Sequence, residues 1–133
     1  MDKIIWDFII PLLDEKAIKR FEIKNAFQLP SDLKQCIEKN NAGMPDKETF
    51  DTEMAKGRVI KGLLSFNEGD EESIYDFIDF FKENGEIKMF PFALDPFGNL
   101  ICLKNGKVVL WLHETKKIEF VASNFTEFLN KLY

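Results

Sequence analysis

His113 is the only histidine of the 133-residue chain, and imidazole is the side chain best suited to acid–base chemistry near neutral pH. Glu114 follows it, and the pair begins an HExxH-like pattern whose fifth position is Lys117 instead of a second histidine. A zinc site of that type needs two imidazoles, so none is predicted. Neighbouring residues of an extended segment also point to opposite faces, which would separate the imidazole from the carboxylate. We therefore expect a structural or surface role for His113, and an enzyme or small-ligand binder using His113 and Glu114 is the least favoured alternative.

The glycines form no nucleotide-binding or hydrolase motif. Gly57 and Gly62 have the spacing of a phosphate-binding loop, but Leu63 and Leu64 stand where lysine and serine or threonine are needed. Neither GxGxxG nor GxSxG occurs in the chain. The oxygen-rich stretch that begins at Asn67 lacks the alternating Asp and Asn positions of a calcium loop. The sequence therefore predicts no catalytic residue, no cofactor and no metal ion.

The two cysteines, Cys36 and Cys102, have no companions that could complete a zinc site or a disulfide framework. Such sparse use of cysteine is typical of a reducing compartment, and we expect a cytoplasmic protein. Both cysteines lie among apolar residues and are predicted to be buried and unbridged. The apolar run from Ile4 to Leu13 is too short for a membrane span and lacks a signal-peptide cleavage site, so no membrane association is expected.

Negative charge is concentrated in the stretch from Phe66 to Glu86, which we call the acidic segment. Eight acidic residues and one basic residue lie between Phe66 and Glu86, a local net charge of -7 against -5 for the whole chain. One interpretation is a solvated helix face, with Glu71 and Glu72 near a helix N-terminus. The other is a surface for a basic protein partner, because such patches steer association. The acidic balance argues against direct nucleic-acid binding. The predicted partner-binding residues are Glu68, Asp70, Glu72, Asp76 and Asp79.

Helices and strands that would position these residues follow from the spacing of apolar side chains. Helices are predicted over Asp14–Phe27, over Glu71–Asn84 and after an Asn124–Glu127 capping box. A further helix is predicted to open at Pro30 and Ser31 and to be closed by Asn40, Asn41 and Gly43. The predicted strands are Val59–Phe66, Met89–Leu94, Leu100–Leu103, Val108–Leu112 and Ile118–Val121. Gly62 is expected to mark a bulge or a close approach of another backbone. Residues 44–57 are polar and are predicted to form a loop.

Two turn signals organise the predicted strands. The tetrapeptide Asp95-Pro96-Phe97-Gly98 suits a type I turn, and Asn105-Gly106 suits a two-residue hairpin. Together they predict a three-stranded meander. The expected fold is therefore α+β, with one domain over residues 1–133 in which helices flank a mainly antiparallel, twisted sheet.

Four stretches, in this order, resemble the SUKH superfamily, which includes the fungal cell-wall-assembly regulator and many bacterial immunity proteins. The first stretch is Glu22–Leu33 (EIKNAFQLPSDL), closed by Asn40-Asn41-Ala42-Gly43, where Ala42 departs from the family's common Asn-Gly-Gly. The others are Val59–Phe66, then Phe90–Asp95 with Gly98-Asn99, and finally His113-Glu114 with Val121–Phe125 and Phe128-Leu129. The resemblance covers about residues 14–132 and leaves 1–13 as a variable N-terminal segment.

The resemblance implies an α+β domain without enzymatic activity. Bacterial members of the superfamily are commonly immunity proteins that bind and neutralise a cognate toxin, frequently a nuclease. The fungal relatives suggest the alternative, a regulatory module that binds a host protein. Together with the acidic stretch, the resemblance predicts a non-enzymatic immunity protein whose partner is a basic toxin.

Overall fold

A five-stranded antiparallel sheet lies at the centre of the computed structural model, which describes residues 3–133. The fold class is α+β, as the sequence predicts. In chain order the elements are β1 (Trp6–Asp7), α1 (Ala17–Asn25), α2 (Ser31–Asn40), β2 (Met44–Pro45), β3 (Thr49–Phe50), β4 (Arg58–Val59), β5 (Gly62–Leu63), α3 (Ile74–Phe77), a 3-10 helix (Ile78–Phe81), β6 (Lys82–Glu83), β7 (Glu86–Ile87), β8 (Phe90–Leu94), β9 (Leu100–Lys104), β10 (Lys107–Trp111), β11 (Ile118–Ala122) and α4 (Phe125–Lys131).

The central sheet has the strand order β11-β10-β9-β8-β5, so four strands that follow one another in the sequence pair as a meander. The turn between β9 and β10 has positive φ at both Asn105 (51°) and Gly106 (80°). Both residues tolerate this conformation, which matches the twist of the flanking strands. The predicted meander is confirmed, and β11 is the strand predicted at Ile118.

Phenylalanine rings join the helices to β8. Phe92 meets Phe125 and Phe128 of α4 edge to face, with ring centroids 5.4 and 5.8 Å apart. Phe90 meets Phe21 of α1 in the same way at 5.7 Å. Aromatic pairs of this geometry bury large apolar areas and favour one relative orientation. The core therefore fixes both helices against the same strand.

The chain between residues 44 and 66 differs from the predicted loop followed by one strand. The prediction of one strand over Val59–Phe66, interrupted at Gly62, is wrong in that the two parts belong to different sheets: β4 pairs with β3, while β5 pairs with β8. Gly62 explains the break: a Cβ there would lie 3.1 Å from the carbonyl oxygen of Gly43, which accepts a hydrogen bond from Leu63 N at 2.9 Å. The predicted close backbone approach is thus confirmed. The predicted loop contains β2, β3 and the fully buried Phe50.

The helix predicted over Glu71–Asn84 is much shorter in the structure. A turn occupies the first positions, α3 and the 3-10 helix cover residues 74–81, and β6 and β7 form a hairpin after them. Asn84 and Gly85 have φ of 53° and 77°, so they form the hairpin turn instead of a helix end. Ile74, Ile78 and Phe81 are nevertheless buried, as their spacing predicts.

The other three predicted helices are present. The first is α1, which is shorter than predicted at both ends. The second, α2, begins directly after Pro30, whose fixed φ suits the residue before a helix, and ends at Asn40. The last, α4, begins after Asn124, whose side chain accepts a hydrogen bond from Glu127 N at 2.8 Å. Within residues 3–133 no helix combines the length and the apolar character that crossing a membrane requires.

Candidate protein-binding surface

Asp70 is half-buried and lies between β5 and α3, in the turn of residues 67–73 that we call the acidic turn. Its Oδ2 accepts hydrogen bonds from Ser65 Oγ at 2.7 Å and from Asn67 Nδ2 at 3.0 Å. Charge-assisted hydrogen bonds of this kind fix the conformation of a turn. Asp70 therefore holds the acidic segment in shape in addition to carrying one of its charges.

Glu72 lies on the same turn and is held in an uncommon backbone conformation, with φ of 56°. Its carboxylate forms an ion pair with Lys61 Nζ at 2.7 Å. Lys61 is joined to the central sheet, because its backbone N–H donates to the Leu94 carbonyl at 2.8 Å. The ion pair neutralises part of the acidic charge at this point.

Asp76 and Asp79 are exposed, as predicted from their position opposite the apolar face. Asp76 Oδ2 accepts a hydrogen bond from Ser73 N at 3.2 Å, so this carboxylate caps α3. The Asp79 side chain is 85% exposed and lies 3.2 Å from Lys82 Nζ. Exposed ion pairs of this kind are weak and screened by salt. Asp79 therefore remains accessible to a binding partner, whereas Asp76 also stabilises the start of α3.

Glu68 and Glu71 carry the least compensated charges of the acidic turn. Both are exposed, and neither has a hydrogen-bond or ion-pair partner among residues 3–133. Glu68 is close enough to Tyr75 to affect it: burial raises the pKa of Tyr75, and the negative charge of Glu68 raises this pKa further. The predicted residue set therefore mixes two kinds of carboxylate, those bound within the molecule and those open to solvent.

The N-terminal segment, residues 3–13, runs beside this acidic turn and is fixed to it by two buried asparagines. Asn41 Nδ2 donates to the Ile10 carbonyl at 2.9 Å. Asn67 accepts from Leu13 N at 2.9 Å and donates to the Pro11 carbonyl at 3.1 Å. Closer to the N-terminus, β1 pairs with β2. These bonds give the segment a defined path over the surface.

Large apolar side chains of this segment point into solvent. We call them the apolar ridge: Ile5, Phe8, Ile9, Ile10 and Leu13. Sequence analysis missed them as a surface, although the apolar run Ile4–Leu13, which the predicted helices and strands leave unassigned, was the available signal. Between the ridge and the acidic turn lies a groove of about 350 Å³. Its apolar lining includes Phe8, Ile10, Leu63 and Leu94, and its charged lining consists of Asp70, Glu71, Glu72 and Lys61, the last of which pairs with Glu72.

His113 follows β10 and packs against the turn between β8 and β9. Its backbone N–H donates to Asn99 Oδ1 at 3.1 Å, and Nε2 is 3.0 Å from the Phe97 carbonyl oxygen. Hydrogen-bonding to a carbonyl requires the proton on Nε2, so this nitrogen acts as a donor here. Glu114 is exposed in the following turn. The imidazole therefore braces a turn, in line with the expected structural role.

Asp95 is the acidic residue that organises this same turn. It is buried, and its carboxylate accepts hydrogen bonds from Phe97 N at 2.9 Å, Asn99 N at 2.8 Å and Asn99 Nδ2 at 2.8 Å. A carboxylate with several donors can remain buried without an ion pair. Across the described residues no group of three or more His, Cys, Asp or Glu side chains has the arrangement of a metal site.

The cysteines are free, but their environments differ. Cys102 is fully buried in the centre of β9, and burial raises the pKa of its thiol. Cys36 is only half-buried, so the prediction that both are buried is wrong for Cys36. Its helical spacing places it beside the buried stripe of Leu33 and Ile37, at the margin of that stripe. Burial is still sufficient to raise the pKa of Cys36 to about 11.

Comparison with known proteins links the whole arrangement to one family. The model of the SMI1 / KNR4 family (SUKH-1) matches residues 12–131. The matched range begins just before α1 and reaches the end of α4, so it contains the acidic segment and the central sheet, while β1 lies outside it. Neither the search of curated proteins nor the search of solved structures found a match.

Proposed function

Because the chain belongs to the SMI1 / KNR4 family (SUKH-1), we propose that it is a bacterial immunity protein that binds and neutralises a cognate toxin in the cytoplasm. The protein acts by binding and catalyses no reaction. The observation that carries the proposal is the exposed acidic segment, whose local net charge of -7 exceeds in magnitude the charge of the whole chain. Immunity-type function is compatible with this family.

A basic toxin, such as a nuclease, is the partner that this surface suits best. A nuclease binds phosphates with lysine and arginine, so an acidic protein surface can occupy the same basic cleft. The proposed contact residues are Glu68, Asp70, Glu72, Asp76 and Asp79. Of these, Glu68 and Asp79 should contribute most to the rate of association, because their charges are exposed and carry no hydrogen bond that holds the fold.

His113 supports a binding role over an enzymatic one. Its ring nitrogen Nε2 bonds to the Phe97 carbonyl, and its backbone is held by Asn99. A general base needs a positioned substrate proton within hydrogen-bond reach. Here the imidazole serves the turn between β8 and β9, and Glu114 points into solvent. Replacing His113 with alanine should therefore leave protection against the toxin largely intact.

The proposal is tested by expressing the protein in a bacterial host together with the toxin candidate encoded beside its gene. Survival of cells that carry both proteins, and death of cells that carry the candidate alone, is the expected result. Purified components should form a complex in a pull-down with the two proteins alone. Cell death in the presence of a folded, abundant immunity candidate would contradict the proposal and favour the regulatory alternative.

Charge reversal tests the acidic surface within the same system. The double variant Glu68→Lys/Asp79→Lys should slow association with the toxin by about tenfold at low ionic strength and weaken its salt dependence. The matched control is Glu38→Lys/Glu114→Lys, which changes the net charge equally at two exposed positions elsewhere. Association of the first variant at the rate of the control would mean that the acidic segment is only a solvated face.

A further inference from the structure

We propose that the groove between the apolar ridge and the acidic turn is a docking site for a polypeptide segment with an apolar side chain flanked by lysine or arginine. This groove differs from the exposed helix face with Asp76 and Asp79, where a partner would be attracted by charge alone. The groove adds an apolar contact. The inference rests on the proposed function in one respect only, namely that the toxin is the protein that supplies this segment.

The first support is the concentration of exposed apolar side chains. Of the eleven large apolar side chains exposed between residues 3 and 133, five belong to the apolar ridge, within nine positions. Phe8 is 78% exposed and Leu13 is 86% exposed. Single exposed apolar residues are normal on protein surfaces, whereas contiguous ones mark interaction sites. Of the ridge residues, Phe8 and Ile10 line the groove, whereas Ile5 and Leu13 line other depressions, so a partner in the groove would cover Phe8 and Ile10.

The second support is the backbone of the ridge. Phe8 has φ of 57°, a left-handed conformation that is unfavourable for a bulky side chain. It is maintained on both sides, by the pairing of Asp7 with Met44 and by the bond from Asn41 to the Ile10 carbonyl. Strained residues held in this way cluster at ligand clamps and other functional sites. These two contacts fix the backbone of Phe8 beside the groove, which Phe8 lines.

The third support is the chemistry of the groove itself. Its volume of about 350 Å³ is within the range of sites that hold a small ligand or a protein side chain. Leu63 and Leu94 provide an apolar lining. Lys61 also lines the groove, but its ion pair with Glu72 offsets its charge, so Asp70 and the exposed Glu71 leave the lining net negative. An apolar side chain fits the lining, while a neighbouring cation meets Glu71 and its acidic neighbours. This charge complementarity commits the groove to a cationic segment.

Two other occupants fit the groove less well. A second copy of the chain would bring a surface of net charge -5 against an acidic rim, so the charges would repel. An anionic membrane would be repelled by the acidic turn in the same way. A protein segment with lysine or arginine beside its apolar anchor has neither disadvantage.

A short peptide provides a probe that does not depend on identifying the toxin. Isotope-labelled protein is titrated with the hexapeptide Lys-Arg-Leu-Phe-Arg-Lys and followed by its amide NMR signals. Signals of residues around the groove should shift. Two matched peptides, one with serine replacing leucine and phenylalanine and one with glutamate replacing all four cations, should bind at least about tenfold more weakly. Equal shifts with the serine peptide would overturn the apolar part of the proposal.

Substitutions then locate the site. Phe8→Asn removes the ring at a position where asparagine tolerates the left-handed backbone, so the fold should persist while peptide affinity falls by at least about tenfold. Phe80→Asn is the matched control, because Phe80 is 73% exposed and lies outside the groove. Glu71→Lys should weaken binding, whereas Glu114→Lys should not. Equal effects of Phe8→Asn and Phe80→Asn would place the peptide elsewhere and overturn the proposal.

The remaining outcomes are also decisive. Concentration-dependent dimerisation that Phe8→Asn abolishes would assign the ridge to a second copy, and sedimentation with anionic vesicles that the same change abolishes would assign it to a membrane. Either result overturns the docking proposal. If Phe8→Asn loses the peptide but still protects against the toxin, the inference fails as a toxin site while the proposed function stands. If the peptide binds as expected but no protection occurs, the proposed function fails alone.

Discussion

Asp70, Glu72 and Asp76 each combine a negative charge with a bond inside the molecule. Asp70 binds Ser65 and Asn67, Glu72 pairs with Lys61, and Asp76 caps α3. A mutation at any of these positions would change the local structure and the surface charge together. Glu68 and Asp79 separate the two effects, because their charges are exposed. Tests of electrostatic binding are therefore clearest at these two residues.

The thiol of Cys36 should react with an alkylating reagent at a rate that rises steeply with pH. Burial raises its pKa to about 11, and only the thiolate reacts with alkylating reagents. Well below that pKa the thiolate fraction grows tenfold with each pH unit, so iodoacetamide labelling of the native protein should accelerate about tenfold per unit from pH 7 to pH 9. The rate is measured by mass spectrometry.

The variant Cys36→Ser provides the control for this measurement. Its native state should resist labelling, because the remaining thiol, Cys102, is fully buried and its pKa is also raised by burial. In denaturant the same variant should label once. Rapid labelling of native Cys36→Ser would show that β9 opens easily and would contradict the packing of the sheet.

Asp76 of α3 and Asp79 of the 3-10 helix should differ in their effect on the stability of the fold. Asp76→Lys removes the carboxylate that accepts from Ser73 N and places a cation at the helix N-terminus, so it should lower the free energy of unfolding by about 1 kcal/mol. Asp79→Lys should change it by under about 0.5 kcal/mol, because the position is an exposed surface site. Urea unfolding measures both.

The bond from Ser73 N to Asp76 also bears on an expectation from the sequence. From helical spacing alone, reversing both aspartates should leave stability nearly unchanged, because both lie opposite the apolar face. The cap formed by Asp76 changes that expectation for one of them. Equal and small losses for the two single variants would mean that the cap contributes little in solution, and the simpler expectation would then hold.

At the scale of the whole molecule, Asn41 joins three segments that are distant in the sequence. Its Nδ2 donates to the Ile10 carbonyl at 2.9 Å and to Ser65 Oγ at 3.0 Å, and its Oδ1 accepts from Phe66 N at 2.9 Å. The side chain is buried, so its removal leaves the buried Phe66 N without its side-chain acceptor and also releases the Ile10 carbonyl. Asn41→Ala should lower the free energy of unfolding by about 3 kcal/mol in urea unfolding.

Asn40→Ala is the matched control, because the preceding residue is the same type at the end of the same helix. Its side chain is half-buried and contacts Cys36 Sγ at 3.8 Å. A weak sulfur contact contributes less than the three hydrogen bonds of Asn41, two of which are buried, so the loss should be distinctly smaller. If the two variants lose the same stability, the junction at Asn41 is not what holds the N-terminal segment to the domain.

The sequence determined the elements whose signals are local. Asn105-Gly106 specifies its hairpin through the two left-handed residues, Pro30 fixes the start of α2, and the short apolar runs specify β8, β9 and β10. These signals depend on the backbone preferences of a few adjacent residues and need no distant contact. The acidic stretch and the exposure of Asp76 and Asp79 follow from the sequence for the same reason.

Where distant segments meet depends on tertiary contacts that no local pattern reveals. The apolar pattern after Glu71 fits one helix, but the Asn84-Gly85 turn and the hairpin of β6 and β7 end it early. The strand expected at Val59–Phe66 divides because Gly62 packs against the backbone at Gly43. The groove likewise joins residue 8 to residues 63, 71 and 94, which no spacing in the sequence relates. Burial and hydrogen bonding between remote residues override local preference, because their combined free energy exceeds the small differences in intrinsic propensity.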